Sequence, residues 1–264
     1  MLHLAYTAYQ AWTHREEHKL LIVGAEGSGK TCLLEKTKAV FAPKGPGAKP
    51  VRVLKPSSIT PTVGLNIARV DVGGKHTLLW DLGGHPSIRS LWANYYAQCH
   101  GVIFVVDATS PQRVREAASL LRALLCNPAL AEAPVLIVAA KSDAEGALSA
   151  QGLLAALDLA DLAVAAAAAS ASSSPLTGAR QREGDGASLV SPSSNAATTH
   201  TTVAPPIPSW LTWEMSETLR GTSGIAGHAY RCVAASGYTG DGIREGLEWL
   251  AEFVALNPRA IETL

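Results

Sequence analysis

The chain has 264 residues, enough for one large α/β domain or two small ones, and its 22 Lys and Arg balance 22 Asp and Glu. A formal net charge of zero excludes a nucleic-acid partner held by bulk charge. Cys32, Cys99, Cys126 and Cys232 are scattered, with no C-x-x-C pair and no histidines at zinc spacing, which fits a reduced cytosolic protein better than a disulfide framework or a metal site.

Residues 1 to 18 place Leu2, Ala5, Tyr6, Tyr9 and Trp12 three or four positions apart among polar groups, the outline of an amphipathic helix. Such a helix either packs on its own domain or lies in a membrane interface when released. Both states can belong to one switchable element. Leu2 excludes N-myristoylation, and no secretory leader is expected.

The apolar run from Leu20 to Val23 leads into Gly24, Ala25, Glu26, Gly27, Ser28, Gly29, Lys30 and Thr31, which is G-x-x-x-x-G-K-[ST]. A helical pattern follows from Cys32 to about Phe41. Strand, glycine loop and helix in this order form a phosphate cradle, because successive N–H groups turn inward at a helix N-terminus. Lys30 would reach the β- and γ-phosphates, and the Thr31 hydroxyl would ligate Mg²⁺. An incidental glycine turn is the alternative, and the flanking strand and helix count against it.

Residues 42 to 58 read as a loop. Alternation from Leu65 to Val72, the pair Gly73 and Gly74, and Thr77 to Trp80 predict a β-hairpin. The hairpin runs into Asp81, Leu82, Gly83, Gly84 and His85. An acidic residue closing an apolar strand before a glycine turn is the D-x-x-G pattern of P-loop switches. Asp81 would hold Mg²⁺ through water, and the Gly84 N–H would approach the γ-phosphate. Val102 to Asp107 and Pro134 to Ala140 are continuous apolar runs, as buried parallel strands require. Between them Ser110 to Cys126 predicts a helix with Pro111 in its first turn. Asp143, after the second of these strands, would accept from N1–H and the exocyclic amine of guanine, a donor pair that adenine lacks. The stem of Lys141 would lie along the purine ring.

From about Ala163 to Ser209 the composition turns to Ala, Ser, Thr, Gly and Pro, too poor in large apolar groups to offset its chain entropy. This predicts a disordered insert. No spanning segment is expected: the most lipid-like stretch, Leu153 to Ala169, carries Asp158 and Asp161, each costing about 2.5–3.5 kcal/mol near a bilayer centre. Order is expected to resume near Trp210. Tyr230 to Ala235 predicts a last strand, followed by Ser236, Gly237 and Tyr238 and a helix from Ile243. The element order predicts an α/β fold, a six-stranded, mostly parallel sheet with helices on both faces and ligand at the carboxyl strand ends.

These motifs, with P-T-V-G-L-N, W-D-L-G-G and R-S-L-W-A-N-Y-Y between them, resemble the ADP-ribosylation factor branch of the small GTPases in order and nearly in spacing. The resemblance covers all but the insert. It implies a P-loop small-GTPase domain over 19–258 with a short tail, 259–264, and a GTP/GDP cycle with Mg²⁺ in which Thr62 is the switch-I ligand. It adds Cys32, Ser236 and Gly237 to the nucleotide contacts, and it places Leu65, Trp80 and Tyr95 where the branch has its effector-binding apolar triad. The hairpin would be an interswitch whose shift on GTP loading expels the N-terminal helix toward membrane. Expected partners are an exchange factor, an activating protein and effectors or tethers, with the chain a monomer distributed between cytosol and the Golgi or trans-Golgi membrane.

Two positions depart from the branch. His85 stands where a glutamine orients the attacking water, so hydrolysis is expected to be slow and dependent on an activating protein, and no early arginine is placed to act in cis. Ala140 stands where asparagine ties the base loop to the P-loop, so nucleotide affinity is expected to be lower. A nucleotide-binding scaffold that no longer cycles is the alternative these two residues motivate. A P-loop kinase is poorly supported, since no arginine-rich lid follows the sheet.

Overall fold

The computed structural model describes residues 17–45, 50–159, 228–259 and 261. The helix expected over 1–18 (apart from its last two residues), the insert over 163–209 and the renewed order near Trp210 lie outside them.

Six strands form one sheet: β1 (His18–Val23), β2 (Leu65–Val72), β3 (Lys75–Leu82), β4 (Gly101–Asp107), β5 (Val135–Ala140) and β6 (Tyr230–Ala235). Their spatial order is β2-β3-β1-β4-β5-β6. The hairpin pair β2 and β3 is antiparallel, and every other neighbouring pair is parallel. β4 and β5 are buried at every position, which is why both read as unbroken apolar runs: helices cover each of their faces.

Those helices are α1 (Lys30–Val40), α2 (Ala93–Tyr96), α3 (Pro111–Leu125), α4 (Ala150–Leu157) and α5 (Ile243–Leu256). Leu33 and Leu34 of α1 and Ile243, Leu247, Leu250 and Val254 of α5 pack with Ile22, Ile103 and Val138 on one face. On the other face Val114, Leu121 and Leu124 of α3, Leu153 and Leu157 of α4 and Tyr96 of α2 pack with Phe104 and Ile137. Phe104 is fully buried, and truncating such a side chain to alanine costs about 3–5 kcal/mol.

Local chemistry sets the helix ends. Pro111 opens α3, where its fixed φ suits the first turn and its missing N–H is not needed. The Ser149 hydroxyl accepts from Gly152 N–H to cap α4. Asp158 closes α4 in the left-handed region at φ 44°. The sequence did not predict α4, because its alanine-rich run with Gly152 offers only two core leucines for periodicity.

Four strand ends, those of β1, β3, β4 and β5, and the turn after β6 lie at the same edge of the sheet. The residues that follow them make the site.

Candidate functional site

The loop between β1 and α1 is shaped by glycine. Gly24, Gly27 and Gly29 have φ of 149°, 70° and 99°, values that L side chains rarely adopt. A Cβ at Gly24 would also stand 2.2 Å from the Val105 carbonyl oxygen of β4. Lys30 turns back inside this loop, its Nζ donating to the carbonyls of Gly24 and Ala25 at 3.0 and 2.8 Å. Burial draws the Lys30 pKa down to about 8, opposed by the nearby Asp81 carboxylate.

Thr31, Thr62 and Asp81 converge from three segments. The Thr31 hydroxyl donates to Asp81 Oδ2 at 2.8 Å and lies 2.7 Å from the Thr62 hydroxyl, which is itself 3.5 Å from Asp81 Oδ2. Burial pushes the Asp81 carboxyl above its ordinary range, and the Thr31 hydrogen bond and Lys30 only partly oppose this. Among the described residues, Asp81 Oδ1 and Ser28 Oγ are buried without a hydrogen-bond partner, and such orphaned groups call for a partner. A carboxylate and two hydroxyls form an all-oxygen donor set of the kind that suits a hard divalent cation such as Mg²⁺. The residues present fit the ion.

Gly84 closes the cradle from the β3 side. A Cβ there would lie 2.4 Å from the Gly24 carbonyl oxygen and 2.5 Å from Lys30 Nζ, so only glycine permits this approach. His85 is exposed and caps the 3-10 turn Pro86–Trp92, with Nδ1 accepting from Ser87 N–H at 3.3 Å and 2.7 Å from the Ser87 hydroxyl. Accepting at Nδ1 leaves the neutral ring's proton on Nε2.

At the other end, the Ser236 hydroxyl donates to Asp143 Oδ1 at 2.5 Å and accepts from Tyr238 and Thr239 N–H. Gly237 lies against the start of α1, where a Cβ would come within 3.0 Å of Cys32 Cβ. Burial raises the Cys32 pKa. Lys141, at φ 63°, donates to Asp107 Oδ2 at 2.6 Å. Burial pushes the Asp107 carboxyl up, but the bonds from Lys141 and Thr109 outweigh it and hold the pKa below the ordinary range. Ala140 is buried and pairs in register with Ala235, near Gly29. At this departure from asparagine, Ala140 lies between Asp107 and Ala235 in the sheet and offers no side-chain hydrogen bond toward the P-loop.

Trp80 and Tyr95 meet edge-on with ring centroids 5.5 Å apart. Leu65 pairs with Leu82, diagonal to Trp80 on the same face, and packs on the same core. The structure thus gathers Leu65, Trp80 and Tyr95 together, with Trp80 buried and Leu65 and Tyr95 half-buried.

Three side chains at the site were not singled out from the sequence. Arg113 of α3 donates to the Glu26 carbonyl at 2.7 Å, Arg89 to the Gly84 carbonyl at 2.8 Å, and Trp92 to the Gly83 carbonyl at 2.9 Å. All are long-range or turn contacts without periodicity, and only the R-S-L-W run hinted at two of them.

A family model for the ADP-ribosylation factor family matches residues 5–185. The chain belongs to this family. Among curated relatives, human ADP-ribosylation factor-related protein 1 is 41% identical over 141 residues, covering 53% of this chain and 67% of the relative. The Bos taurus protein of the same name is 38% identical over 177 residues, covering 67% and 85%. ADP-ribosylation factor-like protein 3 of Saccharomyces cerevisiae is 33% identical over 154 residues, covering 58% and 74%. The fold is similar to that of the Arl6 BBS3 small GTPase from Trypanosoma brucei with bound nucleotide analogue GppNp, with a TM-score of 0.55 at 23% identity over 91% of this chain and 98% of that one. This Arf-family chain is therefore a GTP-binding small GTPase of the P-loop fold and a molecular switch. No helix among its described residues is long and apolar enough to cross a membrane.

Proposed function

We propose that this Arf-family switch regulates Golgi and trans-Golgi membrane traffic by GTP-dependent membrane association and effector recruitment. The observation that carries the nucleotide part is the meeting of Thr31, Thr62 and Asp81 beside the glycine cradle. Thr31 and Thr62 would hold Mg²⁺, with Asp81 acting through water; the ion, when bound, neutralises phosphate charge. Residues 24 to 32 wrap the phosphates, with Lys30 as their cation and the Gly84 N–H as the γ-phosphate contact. Asp143 selects guanine, Ser236 fixes its rotamer, and Lys141 and Gly237 flank the base.

His85 would orient the attacking water by donating from Nε2, since Nδ1 is engaged by Ser87. The reach and geometry of a histidine differ from those of the glutamine, so hydrolysis is slow and depends on an activating protein, whose arginine contributes roughly 10³- to 10⁵-fold. The engaged, exposed His85 also favours a second reading, a nucleotide-binding scaffold with little turnover. Single-turnover GTP hydrolysis with Mg²⁺, with and without an Arf-type activating protein, separates them: turnover in either arm supports the switch, and none in both supports the scaffold.

Membrane association rests on the amphipathic pattern of residues 1 to 18. The patch of Leu65, Trp80 and Tyr95 is the surface on which effectors or tethers would dock, and an exchange factor would load the nucleotide on a monomeric chain. GTP-loaded full-length chain is expected to bind liposomes more strongly than a chain starting at His18. Equal binding of the two removes the helix from the account.

A further inference from the structure

The two glycines that close the cradle are held from behind by side chains whose geometry sets where their peptide groups point. Gly83 and Gly84 share one peptide plane, and no peptide bond among the described residues is cis. In a trans peptide the carbonyl and the N–H point to opposite sides. The Gly83 carbonyl accepts from the indole N–H of Trp92 at 2.9 Å, and Trp92 is buried, 4% exposed. The Gly84 N–H on the same plane is therefore turned away from Trp92. The next plane is fixed as well. The Gly84 carbonyl accepts from Arg89 Nε at 2.8 Å, and the other arm of that guanidinium meets Glu116 of α3 at 2.6 Å.

Neither glycine has room to drift. A Cβ at Gly83 would meet Ile88 Cδ1 at 2.3 Å and the Thr62 carbonyl oxygen at 2.4 Å, while one at Gly84 would meet Gly24 and Lys30. The turn is thus pressed between the 3-10 segment on one side and the P-loop and the Thr62 segment on the other.

We propose that Trp92 and Arg89 are positioning residues for γ-phosphate sensing, Trp92 by aiming the Gly84 N–H and Arg89 by clamping the Gly84 carbonyl to α3. The inference rests on the reading of Gly84 as the γ-phosphate contact. Two consequences follow from the geometry. The benefit falls on the triphosphate alone, since a diphosphate offers nothing to the Gly84 N–H. Second, α3 senses the nucleotide through Arg89 and Glu116, although none of its side chains belongs to the nucleotide-contacting set.

The test compares affinities for fluorescent GDP and a fluorescent non-hydrolysable GTP analogue in the full chain. Trp92→Phe keeps an aromatic ring and removes the donor. It is expected to lower the ratio of triphosphate to diphosphate affinity roughly tenfold, as the loss of one hydrogen bond to a charged group implies, with GDP affinity unchanged. Arg89→Gln, outside the core, is expected to lower the same ratio by a smaller factor, and Arg89→Lys to restore part of it. An unchanged ratio in both Trp92→Phe and Arg89→Gln, or equal weakening of both nucleotides, overturns the proposal and leaves the two residues purely structural. Failure of the wild-type chain to bind either guanine nucleotide is a different result. It overturns the nucleotide reading itself, and the positioning role with it.

Discussion

Asp143 holds a 2.5 Å hydrogen bond from Ser236, yet a carboxylate has about four acceptor sites, so both oxygens can still meet a guanine edge. Replacing it with asparagine turns one acceptor into a donor. Asp143→Asn is expected to shift preference from GTP to xanthosine triphosphate by 10²-fold or more, since each mismatched buried polar contact costs about 1–3 kcal/mol. Competitive displacement of a fluorescent nucleotide measures this, and an unchanged order of preference removes Asp143 from base selection. Asp107 gives a pH signature. Its folded pKa is depressed despite burial, because Lys141 and Thr109 bond its charged form. The stability it contributes is present above the ordinary aspartate pKa of about 3.9 and is lost as pH falls through the folded value. The melting temperature of Asp107→Asn should therefore lie below wild type at pH 7, and the gap should narrow as pH drops below about 4. A gap independent of pH would mean that packing, not the ion pair, is what Asp107 supplies. These residues also show what a sequence can tell. Lys30, Thr31 and Asp81 stand in motifs whose spacing is fixed by chemistry, so their approach was legible. Arg89, Trp92 and Arg113 act on backbone carbonyls brought near by the fold, and a contact to a carbonyl leaves no pattern in either partner's side chains.

At the scale of elements, the hairpin β2–β3, the apolar strands β4 and β5, and β6 followed by α5 could all be read beforehand, because burial imposes period two, an unbroken run or period three-to-four on the residues themselves. α4 could not, since alanine serves a buried face and a solvent face equally well. The Ser236 turn shows how an element end serves the site. Gly242, the N-cap of α5, sits at φ 71°, and a Cβ there would lie 1.9 Å from the Ala234 carbonyl oxygen. The left-handed region alone costs an L residue roughly 1–2 kcal/mol, and the clash adds to that. Gly242→Ala is expected to lower the melting temperature by at least about 5 °C, at roughly 2–4 °C per kcal/mol for a domain of this size. A calorimetric scan showing less than about 2 °C of change would mean that the turn relaxes freely. The same turn holds Ser236 against Asp143, so strain at the start of α5 reaches Asp143 through one hydroxyl.

Across the whole molecule, the residues proposed to contact nucleotide fall before Ala144 or after Tyr230, and the parallel pairing of β5 with β6 brings the two parts together. The sheet order puts the P-loop at the end of β1 beside Asp81 at the end of β3 and Asp107 at the end of β4, so one edge carries the residues proposed to contact phosphate, metal and base. The hairpin β2–β3 is the sheet's outer pair and carries Asp81 at one end and the Leu65 and Trp80 patch along its length. The proposed metal ligand and the proposed partner surface thus share one element, as the proposed switch requires. The most direct measurement is the release of bound fluorescent GTP analogue from the purified full chain, with and without a Mg²⁺ chelator, chased by GDP, ATP or xanthosine triphosphate. Guanine nucleotides alone should compete, and chelation should accelerate release by an order of magnitude or more by withdrawing the ion that Thr31, Thr62 and Asp81 are proposed to hold. Equal competition by ATP, or a release rate indifferent to Mg²⁺, would contradict the account.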